Sequence, residues 1–184
     1  MNKCITSKDM ILSECRSIVQ KHGLDAINIR KVASSCNIAV GSIYNYFPSK
    51  SELLLAIVED IWGNIFYSAD RKSFDSIIEY INYIFDCVEG GNRKYPDFFD
   101  YHSMMITSKS RKIGAETMHG FFDKLKSGMK DSILSDRNVR EDAFTIKFTI
   151  ESFVDMIFSL SIAMFVRKQY DVESLSEIIR RTIY

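Results

Sequence analysis

Between Asn28 and Ser51 the chain has no carboxylate, although its 184 residues include 24 acidic and 24 basic side chains. Inside that window lies GSIYNYFPSK, residues 41–50, which brings Gly41, Ser42, Tyr44, Asn45, Tyr46 and Lys50 close together. These side chains suit a polyanion better than a reacting substrate. Serine and asparagine bond base edges or phosphates, a tyrosine hydroxyl reaches phosphate, and an ammonium pairs with it. Carboxylates would be repelled there. A glycine within a helix costs about 1 kcal/mol relative to alanine, so Gly41 needs a reason, and close approach of the backbone to a DNA groove is one.

The elements that must position these residues are helical, with no alternating strand pattern in competition. Thr6-x-x-Asp9 reads as a capping-box variant opening a first helix. Ile11, Cys15, Ile18 and His22 fall on one stripe of it, and Gly23 stops it. Asn28 suits the N-cap of a second helix, IRKVASSC. Asn37 tolerates the left-handed conformation that ends helices. A third helix lies within the 41–50 stretch and is broken by Pro48. Ser49-x-x-Glu52 caps a fourth, from Lys50 to about Asp70. Ser73 is expected to cap a fifth, ending at Gly90-Gly91, and Pro96 to open a sixth through about Ile106. A seventh covers roughly Ile113–Leu134, an eighth Val139–Lys168, and Asp171 caps a ninth. The fold class expected is all-α, with about nine helices.

Helix 2, the turn Asn37-Ile38-Ala39 and helix 3 have helix–turn–helix spacing. At 100° per residue Ile43 and Phe47 face Ile29, Val32 and Ala33, while Gly41, Ser42 and Asn45 lie opposite. The run IRKVASSCNIAVGSIYNYFPSKSELL closely resembles the DNA-binding segment of the TetR family of transcriptional regulators. Val32-Ala33, Gly41-Ser42-Ile43-Tyr44, Phe47, Lys50 and Leu53 carry the resemblance, which is strong over residues 8–54. There are two departures. Asn37 stands where the family usually has glycine. Ala39 stands where a Ser or Thr usually caps helix 3, which leaves out a phosphate contact often made by that hydroxyl. The expected DNA-facing set is Asn28, Arg30, Val40, Gly41, Ser42, Tyr44, Asn45, Tyr46 and Lys50.

The resemblance implies a DNA-binding domain at residues 1–50 and a helical effector-binding and dimerisation domain at 51–184. The charge is split in the same place. Residues 1–50 hold seven bases and three acids, and the remainder is correspondingly acidic, a weak hint of a nucleic-acid partner for the basic part. Helix 8 is apolar nearly all round and must be covered on every side. With helix 9 it suits a two-fold four-helix dimer. A dimer in turn matches a pseudo-palindromic double-stranded operator. Expected effector-pocket candidates are Phe66, Tyr67, Tyr83, Phe98, Tyr101, His102, Phe122 and Phe148, together with Glu151 and Asp155. Those two carboxylates stand at i,i+4 on the apolar helix 8 and, if buried, need partners. A cationic ligand, a lysine or arginine of the same chain, or an intersubunit bond would each serve.

An enzyme is disfavoured by the absence of a Gly-rich phosphate loop, an HExxH or a nucleophile elbow. No metal site, cofactor or disulfide framework is expected from Cys4, Cys15, Cys36 and Cys87, whose spacing fits neither. No apolar run approaches the ~20 residues needed to span a membrane, and the polar start lacks a signal-peptide core. The expectation is a reduced, cytoplasmic repressor released from DNA by a small molecule. The alternative is a helical protein–protein adaptor with a vestigial DNA-binding fold.

Overall fold

A computed structural model describes residues 6–66, 73–96, 98 and 111–184, with the backbone alone for 111–119. The described residues form eight α-helices and a 3-10 turn at Leu24–Ala26. We label them α1 (Lys8–His22), α2 (Ile29–Ser35), α3 (Val40–Tyr44), α4 (Lys50–Ile65), α5 (Ile77–Lys94), α6 (Arg111–Ser135), α7 (Ile150–Val166) and α8 (Glu173–Ile183). No strand occurs among them. One isolated backbone bridge joins Thr145 and Phe148. The expected all-α class holds. The sixth predicted helix, Pro96 to about Ile106, falls almost wholly outside the described residues.

The chain divides into two compact units, Met1–Tyr67 with Gly91–Ala115, and Ser68–Gly90 with Glu116–Tyr184. In the first, α1 packs on α2 and α4, and α2 packs on α3. Ile11, Cys15, Val32, Ile43, Leu53 and Ile57 meet there with no more than a trace of exposure. Each such aliphatic side chain contributes roughly 1.5–3 kcal/mol by leaving water. A salt bridge between Arg16 and Asp60 ties α1 to α4 along the flank.

Local chemistry explains most boundaries. Gly23, at φ 74°, ends α1, and its N–H donates to the Val19 carbonyl. Ser7 caps α1 by accepting from the Met10 N–H, one residue later than Thr6, the cap expected. His22 is exposed and leaves the apolar stripe. Asn28 caps α2, Asn37 takes φ 53°, and Ser49 caps α4, as their types predict. Phe66 ends α4 earlier than the expected Asp70.

α5 begins after Ser76, which accepts from the Glu79 N–H, and runs through Gly90-Gly91 to Lys94. The Gly-Gly pair does not stop it. Gly91 instead lets α5 approach α4, since a Cβ there would lie 2.8 Å from Ile65 Cδ1.

In the second unit Ile77, Ile81, Ile84, Phe85 and Val88 form the buried stripe of α5. Tyr80 lies against Gly128 of α6, whose Cβ would fall 2.1 Å from the Tyr80 hydroxyl oxygen. Phe85 meets Phe165 of α7 at a 4.5 Å centroid separation. The eighth predicted helix is shorter than expected, because residues 136–149 form turns. Asp136 accepts from the backbone and side-chain N–H groups of Asn138, and Thr145 Oγ1 accepts from the Phe148 N–H. A Thr149/Ser152 capping box then starts α7. Such side chains offer the backbone an alternative to helix and so end it.

Candidate nucleic-acid interface

α3 buries one side and presents the other. Ile43 is completely buried and Phe47 nearly so. Val40, Gly41, Tyr44, Asn45 and Tyr46 are exposed and Ser42 is half-buried. Nothing among the described residues requires the glycine at position 41. Its φ is ordinary, and a Cβ built there meets no atom within 4 Å. Ala39 precedes α3 in extended conformation and makes no side-chain cap, so the α3 N-terminus keeps its N–H groups unsatisfied by any hydroxyl.

The cations around this face stand apart from carboxylates. Arg30 and Lys50 are exposed and Lys31 is half-buried, and among the described residues none is ion-paired. Lys50 is the first residue of α4, where Ser49 accepts from the Glu52 N–H at 3.1 Å. Elsewhere in the molecule Arg16, Lys126, Lys130, Arg140, Arg180 and Arg181 are all bonded to acids. An exposed, acid-free face with unneutralised cations flanking a short helix is suited to phosphate.

Two members of the expected DNA-facing set have other duties. The Asn28 side-chain oxygen accepts from the Lys31 N–H at 2.8 Å, so it caps α2, and only its NH2 group remains for DNA. The Tyr46 hydroxyl donates to the Thr6 carbonyl, which ties the end of the α3 turn to the residues before α1. Lys8, absent from the expected set, places its Nζ 5.6 Å from the centroid of the Phe47 ring. No local motif signals the contacts of Thr6 and Lys8 with Tyr46 and Phe47, which lie some 40 positions away.

The effector candidates are dispersed. Phe66 and Phe98 are buried in the first unit and both meet Trp62, at 5.9 and 5.7 Å. Tyr95 is bonded to Asn64 of α4 at 3.0 Å. Burial pushes the Tyr95 phenol up, with Arg16 opposing. In the second unit Tyr83 lies against Phe74, Phe122 against Phe158, and Phe148 against Phe144 and Phe153. Tyr67, Tyr101 and His102 lie outside the described residues.

Glu151 and Asp155 correct one expectation. Both are exposed on α7 rather than buried. Each is bonded to a lysine of α6: Glu151 to Lys130 at 2.6 Å and Asp155 to Lys126 at 3.4 Å. The hydrogen bond from Lys130 lowers the Glu151 pKa. A same-chain cation therefore satisfies each.

The first unit contains the helix–turn–helix formed by α2 and α3. Its residues 11–57 match the family of bacterial regulatory proteins named for tetR. The HTH-type transcriptional repressor KstR of Mycolicibacterium smegmatis is 26% identical over 138 residues, covering 74% of this chain and 67% of KstR. The Mycobacterium tuberculosis KstR is 36% identical over 63 residues, 34% of this chain and 29% of that protein. Two solved structures share the fold. RolR in complex with resorcinol superposes with a TM-score of 0.57 at 16% identity, over 86% of this chain and 76% of RolR. A TetR transcriptional regulator from Rhodococcus sp. RHA1 gives 0.54 at 18% identity, over 94% and 90%. Residues 11–57 thus match the tetR family of bacterial regulatory proteins, and over most of its length the chain is similar to a transcriptional repressor.

Proposed function

We propose that the protein is a homodimeric repressor that residues 1–50 hold on a pseudo-palindromic operator and that a small molecule releases. The observation that carries the DNA reading is the exposed, acid-free face of α3 with Gly41 in open space beside unpaired Lys50. Gly41, Ser42 and Asn45 face bases, and Tyr44 and Lys50 contact phosphate. Residues 51–184 supply the dimer and the effector site. The protein works where the chromosome is, in the cytoplasm, and not as an enzyme. Among the described residues no helix is long and apolar enough to cross a membrane.

Exposed apolar residues on α7 and α8 support the dimer. Met156, Leu160 and Val166 on α7 and Ile178 on α8 are 44–68% exposed, whereas Ile157 is buried within its own unit. Paired through such a face, two heads read half-sites about one helical turn apart. An effector lodged by the aromatic cluster of Trp62, Phe66 and Phe98 would act at the far end of α4, about 24 Å from Lys50 at 1.5 Å per residue. A ring-shaped ligand suits such a cluster, and RolR was crystallised with one. By linkage, the effector must bind the free protein more tightly than the DNA-bound one.

The test is binding to the DNA flanking the protein's own gene, with and without a panel of phenols and fused-ring compounds. Saturable binding at two protomers per site, weakened by a panel member, is expected. A monomer that binds no flanking fragment above random duplex would overturn the proposal. Leu160→Asp should yield folded monomers, while Ile157→Asp should unfold the chain, since it buries an unpaired charge in the core.

A further inference from the structure

We propose that the start of α1 is a second phosphate-binding contact, with Lys8 supplying the cation and the Tyr46–Thr6 hydrogen bond positioning it. This inference rests on the DNA-binding reading of α3 and adds a site outside the helix–turn–helix.

Three observations converge on one corner of the head. The Tyr46 hydroxyl, just past the end of α3, donates to the Thr6 carbonyl, just before α1. That bond fixes the first turn of α1 beside the recognition helix across 40 residues of sequence. Lys8 Nζ stands 5.6 Å from the centroid of Phe47, the residue after Tyr46. Lys50, at the start of α4, follows Phe47 by three residues, a span of at most ~11 Å of chain.

Neither ammonium is neutralised. Lys8 and Lys50 are exposed, and among the described residues neither is bonded to a carboxylate. An ammonium over an aromatic face is attracted by the ring without losing its charge, so Phe47 guides the Lys8 stem while the head stays available to a phosphate oxygen. Tyr46, expected from its type and place to touch DNA, is on this account a positioning residue. Its hydroxyl is spent within the chain, and its effect on DNA passes through Lys8.

The experiment is fluorescence anisotropy of the full-length protein on a random duplex, from low to physiological salt. The variants are Lys8→Gln, Lys8→Met, Lys8→Arg, Tyr46→Phe, Lys50→Gln and Lys147→Gln. Each phosphate contact contributes about 0.9 to the slope of log K against log salt. Lys8→Gln and Lys8→Met should each lower the slope by about twice that amount, since a bound dimer loses one contact per protomer, the methionine keeping the stem against Phe47. Lys8→Arg should keep it, and Lys147→Gln, on the exposed turn before α7, should change nothing. Tyr46→Phe should weaken binding in the wild-type background and have no further effect beside Lys8→Gln. A reduced slope in Lys50→Gln with an unchanged one in both Lys8 variants overturns this inference and leaves the α3 reading standing. Failure of the wild-type protein to bind any duplex overturns both. Loss of binding in Tyr46→Phe that persists undiminished in the Lys8→Gln background would return Tyr46 to direct contact.

Discussion

Replacing Gly41 by alanine should move stability and DNA affinity in opposite directions. In the free protein a Cβ at this position meets nothing within 4 Å, and the backbone is not left-handed. The only intrachain effect is helix propensity, worth about 1 kcal/mol in a helix interior. Gly41 is the second residue of the five-residue α3, so about half of that is expected. With roughly 2–4 °C per kcal/mol for a chain of this size, the midpoint should rise by about 1–2 °C. On the proposed reading of α3, the same methyl would enter a close backbone-to-groove contact on DNA. Overpacking of that kind costs about 1–3 kcal/mol, or roughly a 5- to 150-fold weaker complex. Thermal unfolding reads the first effect and anisotropy on the flanking operator the second. Gly41→Glu, which adds charge as well as bulk, should abolish binding. A destabilised Gly41→Ala would mean that the fold needs the glycine. Undiminished operator affinity in both variants would refute its placement at the DNA.

Three further expectations concern the chain itself. Ala39→Ser should supply the missing cap of α3 and add about 1 kcal/mol in denaturant unfolding; no gain would mean that the hydroxyl cannot reach the α3 N–H groups. Gly128→Ala should destabilise by about 1–3 kcal/mol, because its Cβ would lie 2.1 Å from the Tyr80 hydroxyl oxygen and 2.4 Å from its ring carbon; a neutral result in the same assay would show that Tyr80 can swing away. Burial, followed by the nearby Cys36 and the carboxylates of Asp60 and Glu14, pushes the Cys15 thiol up to about 12. Its ordinary value is 9.0, so the unfolded chain loses this proton first as pH rises. The Cys15 contribution to stability is therefore complete below about pH 9 and declines from there towards pH 12. Urea unfolding at pH 7 and pH 10 should show a smaller alkaline loss in Cys15→Ala than in the wild type; equal losses would place the thiol in water.

Helices α1 to α4 are legible from residue types alone, because their signals are local. Asn28 and Ser49 cap the helices they precede, Gly23 and Asn37 take the positive φ that stops them, and Ile43 and Phe47 turn inward at helical spacing. Each depends on a few neighbouring residues, so side-chain type and position suffice. The α5 boundary was illegible for the opposite reason. Gly90-Gly91 looks like a stop, but Gly91 answers to Ile65 of another helix. Residues 136–149 did carry cues, in Asp136-x-Asn138 and Thr145-x-x-Phe148, but the apolar residues around them mimic a helical stripe.

Long-range packing sets which way long helices turn and which distant groups meet. Helix α7 is apolar through most of its length, and periodicity alone could not separate buried Ile157 from exposed Met156 and Leu160. Packing against its own unit makes that choice. Glu151 and Asp155 pair with Lys130 and Lys126, more than 20 residues away, and Tyr46 bonds Thr6 across 40. Such contacts form only when the chain has closed on itself, since no residue type encodes a partner that far along the sequence. The exposed face of α3 is therefore written in local chemistry, whereas its fastening to α1 is a product of the fold.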